Sequence, residues 1–215
     1  MNTHLLPLEL RDVERQLRIL AILTASEELG LVPLPVDALH AIAYFTDALA
    51  PVWNIPVIDG RILKRHRPYY PALQADLDRL VGLGVTVIED VHYAQAEDES
   101  WRLAGSYRLN HSFADPILVC AESMAQQAQG LRFVREVVFA TSGLGVSGVS
   151  EASAVDATYS DPLIDIGGMI DVAPDDELNT TTRVALRFGH LVSGLSTAEM
   201  TNLYVRQLYA RMQVA

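Results

Sequence analysis

Two stretches of this 215-residue chain carry residue types at spacings that could do chemistry. The first is "GLGVSG", residues 143–148, which sets Gly143, Gly145 and Gly148 in the pattern G-x-G-x-x-G. In a dinucleotide site such glycines make a tight turn under a pyrophosphate, and an acid further on, here Asp171, takes the ribose. The surroundings argue against that use. The pattern comes late, no convincing helix follows it, and too few residues remain for a doubly wound sheet. A flexible glycine loop without a cofactor is the expectation. The second stretch is "RILKRHRPYYP", residues 61–71, where Arg61, Lys64, Arg65 and Arg67 fall within seven positions and Lys64 is the only lysine of the chain. Clustered cations of this kind suit phosphate oxygens or carboxylates.

Other reactive residue types are scattered. His4, His40, His66, His92, His111 and His190 stand at no metal-ligand spacing from one another or from Cys. Cys120, in "PILVCAESM", reads as a buried structural cysteine. The acids of "DVAPDDELN", residues 171–179, lack the glycine and the closing glutamate of a calcium loop and read as a solvated surface. The sequence has no G-x-S-x-G, no P-loop and no H-E-x-x-H. No catalytic residues and no metal ligands are therefore assigned, and the chain is read as a non-enzyme.

Charge narrows the partners. The chain holds 27 acidic and 16 basic residues, a net charge of -11. Only residues 61–79 are net positive, with five basic and two acidic side chains. Non-specific DNA affinity comes mainly from Lys and Arg on phosphates, so any nucleic-acid contact must be local. Half the residues are hydrophobic and 20% are charged, which suits a packed core rather than disorder. The absence of a secretory signal pattern, of a membrane-length apolar run and of a second cysteine leads to the expectation of a cytoplasmic protein with no membrane contact.

Periodicity supplies the elements that must hold these residues. Helices are expected over 8–29, 35–49 and from Pro71 to Gly82, the last with Leu73, Leu77, Leu80 and Val81 inward. Residues 51–70 read as an ordered loop, and 85–95 with 101–109 as a β-hairpin. Helices are expected at 113–128, 131–141, 180–193 and 197–213, with a loop-rich 142–178 between them. Ser196 and Glu199 are spaced for a capping box. The fold class is α+β and mostly helical: a winged-helix domain of three helices plus a β-hairpin over residues 1–112, then a helical C-terminal region over 113–215. Leu203, Tyr204 and Leu208 in the last helix are candidate anchors for a dimer or partner interface.

In a DNA-reading winged helix, the third helix enters the major groove and the hairpin flanks it. Here the outward face of that helix is expected to show Gln74, Asp76, Asp78 and Arg79, and the hairpin tip is Glu97-Asp98-Glu99. Both repel phosphate. Contact through Arg61, Lys64, Arg65 and Arg67 is thus expected on a DNA backbone or an acidic partner, without base readout.

The stretches "DALHAIAYFTDALAPVW" (37–53) and "DGRILKRHRPYYPALQADLDRLVGLGVTVI" (59–88) carry a resemblance. An apolar helix, a proline-containing loop, a basic G-x-I-x-K-R step, an aromatic-proline pair and a leucine-spaced helix ending in Gly follow in order. This layout resembles the winged-helix middle component of ABC-three-component systems and the small subunit of Lamassu-type bacterial defence systems. The antitoxins of the SocA-like group have a related layout. The segment "DATYSDPLIDIGGMIDV" (156–172) shares the character without an assigned role. The resemblance implies a non-catalytic adaptor that docks on an SMC-like or RecN-like ATPase beside an effector subunit, and that often pairs with a second copy. A free-standing transcriptional regulator or antitoxin is the alternative, and an enzyme using the glycine loop the third reading.

Overall fold

The structure, a computed structural model, describes residues 8–95, 101–174 and 177–213. The first half runs α1 (Leu8–Glu28), β1 (Leu34–Pro35), α2 (Val36–Leu49), a 3₁₀ turn (Ala50–Trp53), β2 (Arg61–Leu63), α3 (Pro71–Gly82), β3 (Thr86–Gln95) and β4 (Trp101–Leu109). Every α2 residue except Asp37 is buried, because α1, α5, α6 and α7 surround it. That explains its lack of a polar face. Pro71 opens α3, whose Leu73, Leu77 and Leu80 point inward. Gly84, at φ +73, turns the chain from α3 into β3, a backbone angle that suits glycine. The hairpin β3–β4 is antiparallel, and β1 pairs with β4 to give a sheet of order β1-β4-β3. The acidic tip Glu97-Asp98-Glu99 lies outside the described residues.

The second half comprises α4 (His111–Glu122), α5 (Ala125–Ser142), α6 (Gly145–Ala154), β5 (Met169–Asp171), α7 (Thr180–Leu191) and α8 (Thr197–Met212). Three expectations change here. The break between the first two helices falls at Ser123–Met124, where no Gly or Pro marks it, and Gly130 sits inside α5. Residues 145–154 form a helix rather than a loop. The G-x-G-x-x-G pattern therefore follows helix α5 and lacks the preceding strand that a dinucleotide turn requires. Cys120 is exposed, because α4 buries only Ala114 and Ala121. The capping box of α8 forms as its spacing suggests: Glu199 N–H donates to Ser196 Oγ at 3.3 Å, and Ser196 N–H to Glu199 Oε2 at 2.8 Å.

Residue 112 falls inside α4, and no break in the core coincides with it. A single cluster of buried side chains runs from Leu23 and Phe45 through Val137 and Tyr159 to Val205. The fold is thus α+β, mostly helical, with small antiparallel sheets. No described helix is long and apolar enough to cross a membrane.

The two halves also meet at one buried carboxylate. Asp156 is fully buried and accepts from Tyr44 Oη on α2, Tyr204 Oη on α8, Thr181 Oγ1 on α7 at 2.6 Å and its own loop's Thr158 N–H at 3.0 Å. Burial, then the charge of Asp156, pushes both tyrosines above their ordinary pKa, so each remains a donor. Tyr44→Phe and Tyr204→Phe should each cost about 1.5–3 kcal/mol, since each removes a hydrogen bond to a buried charge. In urea titrations the double variant should depart from additivity, because both hydroxyls serve one carboxylate. Unchanged midpoints in both variants would contradict this role.

Candidate functional site

The basic segment begins just after a buried knot of charge. On α1, Arg15 grips Asp59 with both arms of its guanidinium, Nε to Oδ2 and Nη2 to Oδ1, each at 3.1 Å. Its Nη1 reaches Asp76 Oδ2 on α3 at 2.6 Å and Asp12 Oδ1 at 3.1 Å. One turn later, Arg18 Nη2 donates to the same Asp59 at 2.8 Å, and its Nη1 lies 2.9 Å from Asp47 Oδ2 on α2. That last pair is close but poorly aligned for a hydrogen bond, so Asp47 Oδ2 and Arg18 Nη1 are ion-paired without one, and Arg18 Nε has no hydrogen-bond partner either. Asp47 Oδ1 takes the backbone N–H groups of Ile58 and Asp59 at 3.1 and 3.4 Å. Asp76, expected on the exposed face of the third helix, is buried in this knot. Its helical position gave no warning, because the partner guanidinium lies 61 residues away.

Burial pushes the Asp47 carboxyl up to about 6, against the pull of Arg18. Burial acts the same way on Asp59, but Arg18 and Arg15 outweigh it and hold that group below the usual carboxylate range.

From Asp59 the chain enters the 61–67 segment, and here the structure binds the second half of the molecule to the first. Gly60 C=O accepts the N–H of Val172 at 2.8 Å. β2 pairs antiparallel with β5, matching Arg61 to Asp171, Ile62 to Ile170 and Leu63 to Met169. The Arg61 guanidinium lies 3.3 Å from Asp171, with its side chain 67% exposed. Lys64 Nζ donates to the carbonyls of Asp161 and Ile164, both at 2.6 Å, and its backbone exchanges bonds with Gly167 and Gly168. Tyr159 Oη accepts from Arg65 N–H and donates to Arg65 C=O, both at 3.1 Å. The Arg65 guanidinium sits 5.0 Å from the centre of the Tyr69 ring, and Arg67 donates to Ser150 Oγ on α6 at 3.2 Å.

The structure therefore brings Arg61, Lys64, Arg65 and Arg67 onto one clasp but divides their work. Lys64 is turned onto backbone carbonyls, while Arg61, Arg65 and Arg67 remain exposed residues. On α8, Leu203 is half-buried, whereas Tyr204 and Leu208 are buried in this chain's own core. Those two hold α8 in place, because α8 lies against α5 and α7.

The residues that complete the site were invisible to spacing. Tyr159 and Asp156 lie in the segment left without a role, and Leu163, Ile166 and Met169 stand exposed by 91%, 64% and 55% around the clasp. A chain rule that could have found them is the cross-strand match of Leu63 with Met169, which requires knowing the pairing first. Elsewhere, His111 bridges Asp115 and Glu27 on the surface, and among the described residues no group of three His, Cys, Asp or Glu side chains could hold a metal ion. Comparison with known proteins returned no matching family model, no matching curated protein and no matching solved structure.

Two outcomes follow from this geometry. Lys64→Met keeps the aliphatic stem but removes both Nζ bonds, leaving Asp161 C=O only the Ile164 N–H at 3.3 Å, and should cost about 1–3 kcal/mol in chemical unfolding, whereas Arg61→Ala should stay within about 0.5 kcal/mol. Equal effects of the two would contradict the division of labour. The second concerns pH. Asp47 has a folded pKa of about 6, above its ordinary value of 3.8, so as pH falls toward 4 the folded state takes up this proton first. Its contribution to stability is largest at the acid end of that window and is lost as pH rises through the folded value. The stability difference between wild type and Asp47→Asn should shift in favour of wild type as pH drops from about 7 to about 5. A pH-independent difference would contradict it.

Proposed function

We propose that this chain is a non-catalytic winged-helix adaptor subunit of a multi-protein bacterial complex. It docks on an SMC-like ATPase in an antiphage defence system. The support begins with layout. Three helices and a hairpin follow in order, with β1 before the second helix paired to the return strand of the hairpin and the 3₁₀ turn and β2 between the second and third helices. The likeness of residues 37–53 and 59–88 to such subunits points the same way.

The observation that carries the adaptor reading is the outer face of the clasp. Leu63, Leu163, Ile166 and Met169 stand exposed there beside Arg61 and Arg65. Exposed aliphatic side chains next to arginine suit a protein partner, since apolar contact and guanidinium bonding dominate protein interfaces. The face is shaped in advance. The 161–168 loop is pinned by Lys64, by Leu163 N–H on Asp161 Oδ1 at 2.8 Å and by Gly168 N–H on Asp165 C=O at 2.9 Å. By contrast, the solvent side of α3 shows Ala72, Ala75, Asp78, Arg79 and Gly82, a poor match for phosphate.

A free-standing DNA-binding regulator or antitoxin is the second reading, favoured by the exposed Arg61, Arg65 and Arg67 just ahead of α3. The two separate in solution. The adaptor reading predicts that the chain co-purifies with an SMC-like ATPase subunit, and that Leu163→Asp with Ile166→Asp abolishes that capture without lowering the chain's melting temperature. Alone, it gives no sequence-specific mobility shift on its own upstream DNA at about 150 mM salt. A specific shift that survives the Leu163/Ile166 pair and disappears with Arg61→Ala, Arg65→Ala and Arg67→Ala would establish the regulator instead.

A further inference from the structure

On the other side of the charge knot, α1, α2, the 3₁₀ turn and α5 enclose a cleft of about 270 Å³. Its walls are largely apolar, formed by Ile55, Ile58, Phe133 and Val134 among others. Three charged residues line it: Glu14, Arg18 and Asp47. The side chains of Arg18 and Asp47 are each only 2% exposed; Asp47 Oδ2 and Arg18 Nη1 lie 2.9 Å apart as an ion pair, and neither atom makes a hydrogen bond.

Charge selects what fits. Of the lining residues, two are acidic and one is basic. The only guanidinium is already engaged, since Arg18 faces both Asp47 and Asp59. Behind the lining, Arg15 is shared among Asp12, Asp59 and Asp76. Leaving aside the exposed Asp12, the knot and cleft together place four carboxylates, those of Glu14, Asp47, Asp59 and Asp76, against two guanidiniums. A concave apolar surface with an excess of one sign concentrates the opposite sign. Burial raises the pKa of Glu14, whose carboxylate accepts one side-chain bond, from Gln127 Nε2 at 2.8 Å. An anion would have to displace Arg18 from its aspartates and sit against the excess negative charge. A cation would add to the neutralisation of that excess.

We propose that the cleft between α1, α2, the 3₁₀ turn and α5 binds a small organic cation, an amine with an apolar body, through the carboxylates of Asp47 and Glu14 and the apolar wall of Ile55, Ile58, Phe133 and Val134. This site is separate from the clasp face and does not depend on the adaptor reading. It gives the chain a means of sensing a small molecule through the same knot that positions the 61–67 segment.

The test uses 2-phenylethylamine as the probe and 2-phenylethanol as its neutral counterpart, each titrated into the full chain up to about 10 mM and followed by amide and methyl NMR shifts. The amine should saturate with shifts centred on Ile55, Ile58, Phe133 and Val134, and the alcohol should bind at least about tenfold more weakly. Glu14→Gln should weaken amine binding several-fold, and Asp47→Asn by about tenfold or more if it folds. Glu151→Gln, an exposed acid on α6, controls for the general attraction of an acidic protein and should leave binding unchanged. Because Glu14 lies outside the ion knot, its variant keeps the test open if Asp47→Asn does not fold. No saturable shift in the cleft, equal binding of the alcohol, or equal loss in Glu14→Gln and Glu151→Gln would each overturn the proposal.

Discussion

Two buried guanidiniums on α1, Arg15 and Arg18, share Asp59, and the rest of the architecture is arranged around keeping them neutralised. Removing one charge of such a set from its partner costs about 3–5 kcal/mol, because it leaves the other uncompensated in a medium that solvates it poorly. The three interior acceptors arrive from separate elements: Asp47 from α2, Asp59 from the loop before β2, and Asp76 from α3. None of the three elements can shift without exposing a charge deficit. Apolar packing stabilises the same contacts, but it is tolerant of register. The fork of Arg15 on Asp59 is directional and fixes where residue 59 lies.

That placement has a consequence for the basic segment. With Asp59 fixed, Gly60 and β2 emerge at a set position and direction, and the second half of the chain closes on them through β5, Tyr159 and the loop around Lys64. Asp156 completes the closure from within by gathering hydroxyls from α2, α7 and α8. The molecule thus has two polar nodes linked by one strand pair, inside a continuous apolar core. What looks in the sequence like a basic arm reaching outward is first an internal fastening. Its outward chemistry is what remains afterwards: three exposed arginines beside an aliphatic rim.

Much of the layout was legible from the sequence. Pro71 and Gly84 bracket the third helix, the hairpin strands fall within a residue of the expected 85–95 and 101–109, and Ser196 with Glu199 announces the last helix. These are local signals, each decided within a few residues. The site was legible only in part. Arg61, Lys64, Arg65 and Arg67 are conspicuous, but their division of labour depends on carbonyls and rings about a hundred residues away. The same holds for Asp76, whose helical position marks it as exposed until Arg15 is placed beside it. The break at Ser123–Met124 carries no Gly or Pro, and Cys120 is exposed despite its apolar neighbours because an apolar helix need not be a buried one. Long-range partnership, not element type, is what a single sequence conceals here.

The central claim is that the 61–67 segment joins both halves into one cooperative unit. Native-state hydrogen exchange tests it most directly. The amides of Lys64, Gly167, Val172 and Thr158, each donating at the clasp or at Asp156, should open only with the same free energy as the core amides of α2. Exchange of these four through a separate opening, several kcal/mol below that of α2, would show that the second half is merely laid against the first.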